Sequence, residues 1–134
     1  MKTHIFRLRP GQEIRSEIQK YAKENKIKAG FIITCVAGLD YARLRMAGAT
    51  PDNQNEREWN EHLEVVSMVG TVEEDDCHLH VAVSDKEGNA FGGHLREATV
   101  FITAEVVIGE DENRVFSREM DDETGFDELV VRSV

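Results

Sequence analysis

Two histidines one residue apart, His78 and His80, with a third at His94 behind Gly92-Gly93, are the residues of this chain best placed to do chemistry. In an extended segment, side chains two residues apart project from one face, roughly 7 Å from each other. Two imidazoles at that spacing can reach one metal ion at about 2.0–2.1 Å each. Three imidazoles without a fourth protein ligand describe an open zinc-type site, with its remaining position left for water or another ligand. The expected cofactor is therefore zinc or another divalent transition metal. Cys77 stands beside His78 but points to the opposite face, so it is expected to pack as a small hydrophobe. The alternative is three half-exposed histidines bonded to one another and to carboxylates such as Glu105 or Asp85.

The elements around these residues must bring His94 back to His78 and His80. Asp85-Lys86-Glu87-Gly88-Asn89 separates two strand-like runs and carries turn chemistry, with Gly88 free to take positive φ. A hairpin closing there pairs the Cys77–Ser84 strand with the segment leading to His94. Gly92 and Gly93 then let backbone pass close by and leave room for a ligand pocket.

One helix is expected, over Gln12 to Asn25, where Ile14, Ile18, Tyr21 and Ala22 form one apolar stripe. The other segments read as strand: Thr3 to Arg9, Phe31 to Met46 with a bend or bulge at Gly38, His62 to Val72, Val100 to Ile108, Arg114 to Met120 and Asp127 to Val134. Gly48 to Asn60 is the one long loop. The expected fold class is α+β, a mostly antiparallel sheet with one main amphipathic helix packed on it. Strands apolar on both faces, such as His62 to Val72, carry more hydrophobic surface than one helix covers, which points to an oligomer.

Composition bounds the rest. The 134 residues fit a single domain spanning 1–134. With 16 basic residues against 26 acidic ones, the net charge is −10, and the basic stripe of a nucleic-acid binder is missing. No apolar run is long enough for a membrane helix, and the first residues do not read as a secretory signal. Two cysteines without an export signal are expected to be reduced thiols, and the location cytoplasmic.

The run from His78 to Asp85, followed by Gly88-Asn89-Ala90-Phe91-Gly92-Gly93-His94-Leu95, closely resembles the plant and prokaryote conserved (PPC) domain. The likeness extends to Val65–Thr71, Thr103–Ile108, Phe116–Asp121, Thr124–Leu129 and the opening Leu8–Glu13. It implies an assembly into homotrimers and a stand-alone prokaryotic type of domain. In plants such domains are joined to AT-hooks, which do the DNA binding; no Arg-Gly-Arg-Pro hook occurs here, so direct DNA contact is not expected.

Three functions follow as expectations. The first is a homotrimeric binding or assembly module with an unknown protein or small-molecule partner, a three-histidine metal site and a regulatory role. The second is a zinc-dependent enzyme using a metal-bound water, with Glu105 as the general-base candidate because an acid inside an apolar strand should be perturbed by burial. The third, by family analogy alone, is a DNA-associated regulator.

Overall fold

The structure, a computed structural model, describes all of residues 1–134. It runs β1 (Lys2–Leu8), α1 (Ile14–Glu24), β2 (Gly30–Arg45), β3 (Glu56–Trp59), β4 (Leu63–Val72), β5 (Cys77–Ser84), β6 (Ala90–Glu110), β7 (Arg114–Met120) and β8 (Asp127–Ser133). Six strands form one antiparallel sheet in the order β1-β6-β5-β4-β2-β3, and an additional β6–β2 ladder closes β2, β4, β5 and β6 into a ring. The β7–β8 hairpin forms a separate two-stranded sheet.

The α+β expectation is overturned here. Strand makes up 62% of the chain and the single helix has 11 residues, so the fold is mainly β. The physical reason is closure: a sheet that curls onto itself buries its inner face against its own strands and needs only one short helical cover. Leu39, Leu44, Leu79, Leu95 and Val100 are all nearly fully buried inside it, with Ile14 and Ile18 of α1.

Two strands carry most of the closure. β6 runs for 21 residues, pairing β5 at its start, β1 at its end and β2 along most of its length. Bulges bend the β2–β6 ladder, one of them between Ala37 and Gly38, where the sequence leads one to expect it. A Cβ at Gly38 would lie 2.7 Å from the Phe101 carbonyl oxygen, so only glycine permits that approach. A further bulge between Val65 and Ser67 changes the phase of β4. Leu63, Val65 and Met68 therefore face the core while Val66 and Val69 face out.

Helix α1 is tied to the ring by its cap. Glu13 accepts from the Ser16 and Arg15 amides at 2.7 and 3.0 Å, and its second oxygen also accepts from the Ala98 amide of β6 at 2.8 Å. One carboxylate thus satisfies helix-end donors and a strand amide together. The long loop after β2 holds the short strand β3, whose Trp59 packs on Phe91 with ring centroids 4.6 Å apart. No helix is long and apolar enough to cross a membrane.

Candidate metal centre

β5 spans Cys77–Ser84, so His78 and His80 project from one face while Cys77, Leu79 and Val81 are buried on the other. The turn at Gly88 (φ +85°) is held by Asp85, whose carboxylate accepts from the amides of Glu87 at 2.9 Å and Asn89 at 3.0 Å. It returns the chain so that His94 stands directly across from His80 in the β5–β6 register. The register needs the glycines. A Cβ at Gly92 would meet the Val81 carbonyl oxygen at 2.2 Å, and one at Gly93 the Arg45 carbonyl oxygen at 2.6 Å. Gly92 and Gly93 thus act first by letting three strands approach closely.

One ring nitrogen from each of His78, His80 and His94 lies within 4.8 Å of the others, with Nε2 of His78 and Nε2 of His80 at 3.2 Å. His78 and His80 are exposed and His94 is half-buried. Desolvation, followed by the positive field of Arg45 and by the other two imidazoles, pushes His94 down to about 3. His78 is also lowered, by desolvation first, then by His80, Arg118 and Arg45. Both rings are therefore held neutral, the form that offers a lone pair to a metal.

Three further residues belong to the site without having been candidates for it. Gly70 of β4 (φ +148°) lies against β5, where a Cβ would come 2.0 Å from the His78 carbonyl oxygen. Arg45, at the end of β2, is directly across from His94 and reaches its Nδ1 at 3.2 Å. Arg118, on β7, joins Val69, Gly70, Thr71, His78, His80 and Leu129 around an open cavity of about 240 Å³. Its guanidinium is fixed by Glu73 at 3.1 Å and the Thr71 hydroxyl at 2.9 Å. Only the run of Gly70 in an otherwise apolar strand offered a local signal; the arginines lie far off in sequence.

Glu105 is not brought to the histidines. It lies exposed farther along β6, in register with Arg7 of β1 and Val36 of β2, roughly 36 Å of strand from His94 at the usual rise per residue. The burial expected for it is absent because its side chain faces away from Ala104 and Val106, which point inward.

A closed antiparallel ring bearing an open cluster of three imidazoles defines the class, a small β domain with a candidate metal site. A sequence profile of the Plants and Prokaryotes Conserved (PCC) domain matches residues 1–112, and the chain belongs to that family. Among solved structures, it is similar to a hypothetical protein from Salmonella cholerae-suis, at 37% identity and TM-score 0.92 over 98% of this chain and 94% of the other. It is also similar to a metal-containing protein from Archaeoglobus fulgidus, at 26% identity and TM-score 0.81 over 97% and 94%. A bifunctional protein GlmU from Synechococcus sp. (strain JA-3-3Ab) is 36% identical over 135 residues, covering 100% of this chain. The chain spans only about one fifth of that relative's length, 21%.

Proposed function

We propose that residues 1–134 act as one domain, a homotrimeric binding or assembly module that holds a divalent transition metal on His78, His80 and His94. The observation that carries this is the convergence of three imidazoles within 4.8 Å, offered from two paired strands. The donor set fits: three neutral nitrogen ligands suit zinc and its neighbours, and a metal bound there supplies Lewis acidity with an open position. The metal-containing relative from Archaeoglobus fulgidus supports it.

Assembly is supported by apolar side chains left on the outer face of the ring, with Val36, Val66, Val69 and Ile102 all more than half exposed. Binding is favoured over hydrolysis because Glu105, the general-base candidate, is not brought to the histidines. At a net charge of −10, the partner is not expected to be duplex DNA.

Metal analysis of protein purified without a polyhistidine tag is expected to give one metal ion per chain. His80→Ala is expected to remove it and Cys77→Ser, on the buried face, to retain it. Sedimentation equilibrium at micromolar concentration is expected to give a trimer. Metal-free parent protein after exposure to zinc, or a clean monomer, would sink the corresponding half of the reading.

A further inference from the structure

Beside His94 stands an arginine without a counter-ion. Arg45 has no carboxylate within ion-pair distance, and Glu56, across from it on β3, is engaged by Arg43 at 3.0 Å and Arg96 at 2.8 Å. Its guanidinium is held by Gln54 Oε1 at 3.3 Å, by His94 Nδ1 at 3.2 Å and by the Phe126 ring, 5.1 Å below its central carbon. These are neutral partners, so the charge is half-buried and uncompensated. Arg118 adds a second cation at the cavity, partly offset by Glu73. The carboxylate that acts on His78 is that of Glu128, and it is the weakest of the influences on that ring. In a protein with 26 acidic residues, this corner is electropositive.

The Arg45–His94 contact also has a chemical consequence. A guanidinium only donates, so Nδ1 of His94 must be accepting and the ring proton must sit on Nε2. A neutral imidazole has one lone pair. If His94 ligates a metal through Nδ1, Arg45 must leave that atom; if it ligates through Nε2, the proton moves to Nδ1 and again faces Arg45 as a donor. Ligation by His94 therefore releases Arg45 from His94 in either case. It leaves a planar fork of donors beside a position that three neutral ligands leave with the full charge of the ion.

We infer that the histidine cluster is the floor of an anion site: a small oxyanion, carboxylate or phosphoryl, binds with Arg45 as its guanidinium clamp. This rests on the metal reading above and names the ligand class for that site. Arg45 is then a switch between two partners. It competes with the metal for His94 when no anion is present, and it binds the anion when the metal is in place. Metal and anion therefore strengthen each other's binding. A guanidinium fork suits both carboxylate and phosphate, whereas an ammonium supplies only a point charge. The opening beside His78 and His80, about 240 Å³ and lined by Arg118 rather than Arg45, admits a small acid or phosphate monoester headgroup, which Arg45 reaches from the His94 side.

The test is a titration of Co²⁺ into the metal-free full chain in a non-coordinating buffer, alone, with inorganic phosphate, and with acetate. Affinity and the visible absorption of the bound Co²⁺ are followed. In the wild-type chain at least one anion is expected to alter the visible bands and to tighten Co²⁺ binding about tenfold. The stronger of the two arms identifies the phosphoryl or the carboxylate class. Arg45→Gln is expected to bind Co²⁺ at least as tightly as wild type without anion and to lose the anion effect, whereas Arg45→Lys keeps a fraction of it. Co²⁺ binding that is indifferent to both anions, or an Arg45→Gln response equal to wild type, overturns the anion site and leaves the metal site standing. No Co²⁺ binding by the wild-type chain overturns both.

Discussion

Three histidines gather at one end of β6 and a single one, His4, stands near the other, and their surroundings are opposite in sign. Near its C-terminal end, His4 of β1 is buried, with Nε2 at 2.9 Å from the Glu110 carboxylate and Nδ1 at 3.3 Å from the Tyr21 hydroxyl. Glu110 also accepts from the Lys28 amide at 3.4 Å, and Tyr21 stacks on Phe6 at 4.2 Å. Every polar atom of the His4 ring has a protein partner, so this cluster closes a seam between β1, β6 and α1. At the other end, His78, His80 and His94 have arginines for neighbours, and their nitrogen atoms turn toward one another. A histidine satisfied by a buried carboxylate belongs to the fold. At the other cluster, burial and the nearby arginines keep His78 and His94 neutral, so their rings stay available to a ligand rather than serving the fold.

The largest expected effect tests that contrast through stability. Glu110→Ala, which leaves a buried His4 nitrogen without its partner, is expected to cost about 3 kcal/mol. His78→Ala in the metal-free protein should stay within about 0.5 kcal/mol. Urea denaturation of both variants decides it, and equal losses would break the comparison.

A smaller effect concerns how the backbone places the triad. Gly92→Ala forces a Cβ against the Val81 carbonyl oxygen, which the structure places 2.2 Å away. It is expected to cost about 2 kcal/mol and to weaken metal binding, although no ligand is touched. The far cluster should be unaffected, with amide exchange near His4 and Glu110 remaining as slow as in the parent. A variant with parental metal affinity would show that the glycines serve packing alone.

The smallest effect is one of pH. His94 in the folded chain is pushed down to about 3 from its ordinary 6.5. Between those values the unfolded chain binds a proton that the folded one refuses, so stability of the metal-free protein falls as pH is lowered through that window. His94→Gln should flatten this part of the profile. Urea midpoints at pH 7 and pH 5 for the two proteins measure it, and parallel slopes would remove His94 as the cause.

Much of the site was legible because it rests on short-range geometry. Alternation along Cys77–Ser84 was enough to place His78 and His80 on one face with Cys77 on the other. The turn residues around Gly88 were enough to bring His94 back. The α1 stripe of Ile14, Ile18 and Ala22 was legible for the same reason: all three are buried as the helical period requires. Glu105 shows where such reading stops. Its apolar flanks suggested burial, but in a strand those flanks point inward and the acid between them points out.

The residue order by itself determined the local devices: the two-residue spacing of the histidines, the turn that reverses the chain and the glycines that allow close approach. Tertiary structure alone decided what stands opposite them. Arg45 meets His94 across a ladder joining distant parts of the chain, and Arg118 reaches the cavity from a separate hairpin. The same holds for the outward turn of Val66 and Val69, set by a bulge in the β4–β5 register, and for the closure of the sheet into a ring. The physical reason is that periodicity encodes which way a side chain points relative to its neighbours in the chain. Register between strands is settled by hydrogen-bonded ladders and bulges, in which a shift of one residue exchanges the faces.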